Sequence, residues 1–476
     1  MSSVLPLVID LDGTLLRSDL LLESSLGFLR SQPLRVLLPF KWLSSGKAHL
    51  KEQLAKVVPI DVANLPYDPQ VINLIQEEKS KGRPIILATA SHKIYADQIA
   101  SHLQLFDAVY ATEGNTNLSA CAKRDLLIHA YGKQGFDYAG NSQDDLPVLA
   151  VARHAYLVNP ERGVETKAQK QGNVEQVLSR PSNTLKTWTK ALRLHQWLKN
   201  LLIFAPFLAS HQLTNFHLAA NCLFAFLLFG ICASSVYLLN DLLDLADDRH
   251  HETKRHRPLA SGQLSLKAGL TAFPLLLFFT FSNAIAFLPW KFSLALGVYL
   301  GLTMLYSFLL KRKMVADVIA LAMLYTLRMI AGVFVCSLTM TFWMLAFSMF
   351  IFLSLALVKR YAELLRESQN RAKMEKTRGR GYCPDDLPMV ASLGAASGYL
   401  SVMVLALYIQ DQSIVNLYRH PKMIWLACPL LLYWISRTWL LTHRGQMHDD
   451  PVVFAMKDKI SLLVAVLFGA IFWLAI

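Results

Sequence analysis

The sequence predicts two folds in one chain: an α/β domain built on a parallel sheet, then an all-α polytopic membrane domain of nine transmembrane helices. Three observations carry this. At 476 residues and 54% hydrophobic content, the chain is long enough for more than one domain and unusually apolar for a soluble protein. Up to about residue 190 the apolar residues come in short runs broken by charge, whereas Leu218 to Leu239 contains no Asp, Glu, Lys or Arg. A span of about 20 apolar residues crosses the hydrocarbon core. In the first 165 residues, short apolar strands alternate with helical stretches, the pattern of a parallel sheet covered on both faces.

The strands come first. Residues 4–9, VLPLVI, read as a buried strand ending at Asp10-Leu11-Asp12-Gly13-Thr14-Leu15. A second strand, Pro84 to Ala88, ends at Thr89, and a third, around Asp137 to Ala139, ends at Gly140-Asn141. Helical stretches at Pro69 to Lys81, Ile94 to Leu103 and Lys123 to Tyr131 separate them. Sites in such sheets form at the carboxyl ends of the strands, which is where Asp10, Asp12, Thr89 and Asn141 fall. A carboxylate can attack phosphorus and form an aspartyl phosphate, so Asp10 is the expected nucleophile. Asp12 is placed to protonate the leaving alcohol. Magnesium would screen the anionic nucleophile from the anionic phosphate, with Asp10, Asp12, Asn141 and Asp145 as the metal-site residues. Thr89 would donate to a phosphate oxygen, and Lys123 supplies positive charge.

These four motifs, in order over about residues 4–165, resemble the haloacid dehalogenase superfamily. The resemblance implies a Rossmann-like phosphatase domain over 1–165, with a small helical cap at about 16–68. Many members place aspartate where this chain has Asn141, which leaves Asp145, or neighbouring Asp144, to compensate. Within the cap, Leu34 to Leu43 mixes Arg35 and Lys41 with apolar residues. Packing on its own domain is the first expectation for that segment, and a membrane surface is the second. Residues 166–190 are polar and read as a linker.

From residue 191 to 476 the apolar spans fall at about 198–211, 218–239, 268–288, 291–310, 314–337, 341–358, 388–409, 421–441 and 460–476. Loops after the second, fourth, sixth and eighth spans hold 19 Lys and Arg, and the opposite loops hold three: Lys291, Arg419 and Lys422. Basic residues collect on the cytoplasmic side. The expectation is a multi-pass protein of the inner (plasma) membrane with a cytoplasmic N-terminal domain and an external C-terminus. Much of the basic excess behind the net charge of +13 sits in loops between the apolar spans. No basic patch with stacking aromatics accompanies it, so nucleic acid is not an expected partner. Cys121, Cys222, Cys232, Cys336, Cys383 and Cys428 form no C-x-x-C pair, which indicates neither a zinc site nor a disulfide framework. The N-terminal apolar run is interrupted by Asp10 and Asp12 and does not read as a signal peptide.

The second span ends in Asn240-Asp241-Leu242-Leu243-Asp244-Leu245-Ala246-Asp247-Asp248. Asp241, Asp244 and Asp248 are three and four residues apart and share a helix face. Lys254, Arg255 and Arg257 follow. Aligned carboxylates suit magnesium, and magnesium with Lys and Arg suits a diphosphate. This stretch resembles the N-D-x-x-D-x-x-x-D motif of the UbiA prenyltransferase superfamily over about residues 185–476. The resemblance implies nine membrane helices and magnesium-assisted ionisation of a diphosphate.

Other pieces resemble one branch, the decaprenyl-phosphate phosphoribosyltransferases. They are Arg193 to Asn200, Tyr306-Ser307 with Lys311-Arg312, Lys359 to Leu364, and Asp449-Asp450-Pro451 to Lys457-Asp458. That branch implies phosphoribosyl pyrophosphate as donor and a polyprenyl phosphate as acceptor. Asp241, Asp244 and Asp248 are then expected on the metal. Asn240, Lys254, Arg255, Arg257, Tyr306, Lys311, Lys359, Arg360, Asp450 and Asp458 are expected on substrate, with Arg193 and Lys199 on the lipid phosphate. The bilayer is the remaining partner, and a homo-oligomer is compatible with the sequence. Two rivals stand beside this reading. One is a prenyl diphosphate donor with an aromatic acceptor; the other is a transporter or membrane receptor carrying a vestigial enzyme domain.

Overall fold

The computed structural model describes residues 5–114, 116–179, 184–210, 212–370, 381–410, 418–447 and 450–475. Asp449, the first residue of the last loop's resemblance, lies outside them. The chain divides into two compact units: Met1–Leu192 with Tyr237–Phe273, and Arg193–Val236 with Pro274–Ile476. The acidic motif therefore belongs with the first unit, although the apolar stretch leading into it belongs with the second.

The first unit is built on a six-stranded parallel sheet in the order β3-β2-β1-β4-β5-β6. Its strands are β1 Leu7–Ile9, β2 Ile85–His92, β3 Ala108–Thr112, β4 Asp137–Gly140, β5 Ala155–Val158 and β6 Val174–Leu178. Leu7, Val8 and Ile9 pair with Ile85, Ile86 and Leu87 on one side and with Asp137, Tyr138 and Ala139 on the other. All three β1 side chains are fully buried. Leu7 and Ile9 face one core with Ile75, Leu87 and Ile99, and Val8 faces the other with Leu127, Tyr138 and Leu157. A continuous apolar run serves a strand buried on both faces, and the period of two sorts its side chains between the layers.

Helices α1 Leu20–Ser31, α2 Leu38–Ser44 and α3 Lys47–Val57 form the cap, closed on Phe28, Leu50, Leu54 and Val58. Asp19 caps α1 by accepting from the Leu22 amide at 3.1 Å. Next come α4 Pro69–Ser80, α5 Lys93–Leu103, α6 Ala120–Tyr131 and the one-turn α7 Leu146–Leu149. The segment 166–190, expected as a linker, contains the end of α8 Val164–Gln169, all of β6 and most of α9 Thr184–Ala191. Its polar residues face solvent on an edge strand, where alternation replaces the apolar run that marks central strands.

In the second unit, α10 Ala205–Ala209 is preceded by a 3₁₀ run, Leu194–Phe204. The expected first span is thus not one long helix. Long helices follow as α11 Phe216–Leu243, α13 Leu266–Phe287, α14 Trp290–Phe308, α15 Ala316–Val335, α16 Phe342–Asn370, α17 Leu387–Gln410 and α18 Ala427–His443, with the short α12 Leu245–His250 after α11. α19 Pro451–Lys457 and α20 Lys459–Ala475 meet at 84°. Among the described residues, seven helices are long and apolar enough to cross a membrane, or eight with the bent pair counted as one span. Nine was the expectation. The difference lies at 198–211, where Pro206 removes an amide donor past the middle of an already short apolar run.

Candidate functional sites

At the carboxyl end of β1, Lys123 Nζ donates to Asp10 Oδ1 at 2.6 Å, to the Tyr138 hydroxyl at 2.9 Å and to Asp145 Oδ1 at 3.3 Å. All four residues are buried. Burial pushes Asp10 up to about 7; Lys123 pulls it down and Asp145 pushes it further up. Burial alone would lower Lys123, but Asp10 and Asp145 outweigh it and hold the ammonium charged. Asp12 sits up at about 6 through burial and the neighbouring Asp19. Its Oδ1 accepts from the Leu20 amide at 2.8 Å and its Oδ2 from the Ser91 hydroxyl at 2.6 Å. The α1 start therefore fixes the Asp12 carboxyl. Thr14 Oγ1 bridges Asp10 Oδ2 and Asn141 Oδ1 at 3.4 and 3.3 Å. Gly13, at φ +79°, lets Asn141 close on that loop, since a Cβ there would stand 2.3 Å from Asn141 Nδ2.

Two expected roles change on this geometry. Asp145 Oδ2 accepts from the Asn141 amide at 3.1 Å and from the Ser142 amide and hydroxyl at 3.0 and 2.8 Å, and its Oδ1 accepts from Tyr138. Its oxygens are engaged by the turn, by Tyr138 and by Lys123, so Asp145 braces Asn141 and Lys123. Asp144 is exposed and lines the site cavity. Thr89 accepts from the Ser91 amide at 2.9 Å and does not line the cavity; Ala90 and Ser91 do. β2 runs on to His92, past its expected end at Ala88, and this brings the Ser91 hydroxyl to the cavity.

A divalent cation fits here. Two buried carboxylates stay above their ordinary range, Asp10 even with Lys123 beside it, and Asn141 Oδ1 lies on the same Thr14 hydroxyl as Asp10.

In the acidic motif, Arg257 Nη1 lies 3.0 Å from Asp241 Oδ1 and 2.6 Å from Asp248 Oδ2. The two carboxylates thus converge on one position now filled by a cationic group. Burial raises Asp248, and Arg257 opposes this. Asp244, expected on the same face, is paired with Arg30 of α1 at 3.4 Å, and Arg30 also pairs with Asp247. The break between α11 and α12 falls at Asp244, which caps α12 in place of continuing the helix. Among the described residues no group of three or more His, Cys, Asp and Glu side chains is gathered as for a metal ion. A cation fits between Asp241 and Asp248 on departure of Arg257, with Asp244 outside the pair. Arg255 lines a separate cavity of about 310 Å³ with Arg17, Tyr67 and Arg249. Lys254 begins a 3₁₀ turn, Lys254–His256, ahead of Arg257.

In the second unit, Asp450 Oδ2 receives Lys199 at 2.8 Å and Lys359 at 3.6 Å, and Tyr325 donates to Asp450 Oδ1 at 2.9 Å. Burial would raise Asp450, yet Lys199 and Lys359 hold it well below the carboxylate range. Arg360 is fully buried and paired with Asp317 and Glu363, while Tyr382 donates to Asp317 at 2.8 Å. Asp458 pairs with Arg437 at 2.7 Å and accepts from the Ser461 amide at 2.8 Å, so it fixes the α19–α20 bend. Arg328, not singled out beforehand, lies buried in α15, donating to Asn200 Oδ1 at 2.9 Å and to the Tyr299 hydroxyl at 3.1 Å. Its charge inside an apolar span was the available signal. Arg193 stands in the left-handed region at φ 51° and caps the 3₁₀ run; Tyr306 is half-buried in α14, and Lys311, Asn240 are also half-buried.

Comparison with known proteins matches residues 201–474 to the UbiA prenyltransferase family and residues 7–150 to haloacid dehalogenase-like hydrolases. The chain is 38% identical to the uncharacterized protein y4nM of Sinorhizobium fredii, covering 99% of this chain and 91% of that one. It is 35% identical to nodulation protein NoeC of Azorhizobium caulinodans over 58% of this chain and 89% of that one. It is 32% identical to decaprenyl-phosphate phosphoribosyltransferase of Corynebacterium glutamicum over 46% of this chain and 67% of that one.

Proposed function

This chain belongs to the UbiA prenyltransferase family, with a haloacid dehalogenase-like hydrolase domain ahead of it, and on that premise we propose that it moves a 5-phosphoribosyl group from phosphoribosyl pyrophosphate to a polyprenyl phosphate, releasing pyrophosphate. The observation that carries this reading is the convergence of Asp241 and Asp248 on one cation position. Magnesium held there would neutralise the departing diphosphate while positive charge develops at the anomeric carbon. Arg257, released from the carboxylates, would turn to phosphate oxygens. Lys199 and Lys359, gathered at Asp450, supply positive charge for phosphate groups. The name of the Corynebacterium relative supports the donor. A prenyl diphosphate with an aromatic acceptor is the reading the family membership alone would favour.

The hydrolase domain then removes the 5-phosphate. Asp10 attacks phosphorus, the bond from phosphorus to the sugar oxygen breaks, and Asp12 gives its proton to that oxygen. Water next attacks the aspartyl phosphate, Asp12 takes the proton back, and inorganic phosphate leaves. Lys123 holds Asp10 in line, and Ser91 with the Leu20 amide holds Asp12. Magnesium at Asp10 and Asn141 would reduce repulsion between nucleophile and phosphate. This multi-pass protein sits, in our reading, in the inner membrane with the hydrolase domain cytoplasmic and the C-terminus external. The test is to incubate purified protein with both proposed substrates and weigh the lipid product. A mass gain matching phosphoribose, or ribose after hydrolysis, supports the reading, and an unchanged lipid opposes it.

A further inference from the structure

The cavity over Asp10 and Asp12 has a volume of about 1500 Å³, and the hydrolase fold does not close it alone. Leu43 and Lys47 of the cap form one wall. Gly262, Gln263, Ser265 and Lys267, in the loop that leads from the acidic motif into α13, form another. That loop is fitted to the catalytic loop. Gly262 stands at φ +67°, and a Cβ on it would lie 2.4 Å from both the Cβ and the carbonyl oxygen of Arg17. Arg249 donates to both carboxylate oxygens of Glu23 in α1 at 2.7 and 2.8 Å, with both side chains buried. Lys267 reaches Glu161 at 3.7 Å. Leu266 and Lys267 are also the first residues of α13, a helix of 22 residues long and apolar enough to cross a membrane.

The cap wall carries a second feature. Next to Leu43, the side chains of Leu34, Leu37 and Phe40 are 98%, 75% and 67% exposed, with Arg35 and Lys41 among them. Sequence alone favoured packing of this segment on its own domain; in the structure Leu38 and Trp42 do pack on the cap core, while Leu34, Leu37 and Phe40 stay outside. Apolar side chains flanked by Arg and Lys suit an anionic bilayer surface. On the opposite wall of the same cavity, the chain continues directly from Leu266 and Lys267 into α13.

We propose that the phosphatase centre takes its phosphomonoester from the membrane surface. Its substrate class is a sugar phosphate anchored to a polyprenyl lipid, with Leu37 and Phe40 seated in the bilayer and the Gly262–Lys267 loop as the specificity wall. This rests on the phosphatase role proposed above and narrows its substrate to a bilayer-anchored one.

The test uses full-length protein in lipid nanodiscs and chemically prepared polyprenyl-phosphoryl ribose 5-phosphate, so that it does not depend on the transfer step. Phosphate release from this lipid, embedded in the same nanodiscs made with anionic phospholipid, is compared with release from ribose 5-phosphate in solution. The lipid should be preferred in kcat/KM by a factor on the order of a hundred, the scale of seating two large apolar side chains. Leu37→Gln with Phe40→Gln, both exposed and off the cavity, should remove most of that preference. Gly262→Val should do the same by displacing the loop from Arg17. Equal rates on both substrates in the wild type, or a preference untouched by either variant, would overturn the proposal. Release from neither substrate would instead overturn the phosphatase role itself.

Discussion

Asp10 and Lys123 come from elements 113 positions apart, yet they form the closest ion pair of the hydrolase centre. Asp10→Asn should abolish phosphate release and leave pyrophosphate release intact, because the nucleophile is lost while Asp241 and Asp248 are untouched. Parallel assays of the two products check this, and loss of both would tie the two chemistries together. Asp10 and Asp12 also set a pH dependence. Their pKa values in the folded chain, about 7 and about 6, lie above the unfolded value of 3.8. The folded state therefore binds protons more tightly, and the contribution is favourable at low pH and lost as pH rises from about 4 to about 7. In chelator, the melting temperature of the hydrolase unit should fall between pH 5 and pH 8, and magnesium should recover most of the loss at pH 8 and little at pH 5. Calorimetry reads this directly; a midpoint rising with pH in chelator would contradict the buried carboxylate pair. Asp10, Asp12, Lys123 and Asn141 were legible because their types and order follow from the chemistry. The cavity-lining Ser91 and the turn bonds of Asp145 were not. Both depend on where a strand stops and how the next turn closes on itself, which one residue of register decides.

At the scale of elements, α1 links the two chemistries: its start holds Asp12, and its side chains Glu23 and Arg30 engage Arg249 and Asp244. Glu23 and Arg249 are both nearly buried, so Arg249→Met should leave a carboxylate uncompensated at a cost of about 3–5 kcal/mol. The variant should melt earlier and be cut faster by protease in the 237–273 segment, and Glu23→Gln added to it should restore part of the loss. No change in either measure would mean that the pair contributes nothing to docking. Asp241→Asn and Asp248→Asn should each lower pyrophosphate release by a factor on the order of a hundred, since one electrostatic contact to a developing charge is worth about 3 kcal/mol. Asp244→Asn, whose carboxylate faces Arg30, should cost less, and an equal loss at all three positions would contradict the split seen here. The central strands and long helices were readable from apolar runs, but β6 was not, because an edge strand buries too little to leave such a run. The helix-face argument for three aligned aspartates failed for one reason: the helix ends at Asp244.

For the whole molecule, the basic loops and the apolar spans are separate signals that have to agree. Seven long helices and one bent pair make up to eight crossings among the described residues, so a ninth would have to come from the 3₁₀ run Leu194–Phe204 with α10. A 3₁₀ helix rises about 2.0 Å per residue, so 11 residues with five more in α-helix reach about 30 Å end to end, the thickness of the hydrocarbon core. A reporter fused after Ile476 should accordingly score as external; an internal score would mean that residues 194–209 do not cross. Length alone made this span look marginal in the sequence, because the count assumed an α-helical rise. The central claim, that one membrane enzyme handles a phosphoribosyl donor, is tested most directly by donor identity. Pyrophosphate release should occur from phosphoribosyl pyrophosphate only when a polyprenyl phosphate is present, and should vanish in a variant carrying Asp241→Asn and Asp248→Asn. Release that instead requires a prenyl diphosphate and an aromatic acceptor would contradict it.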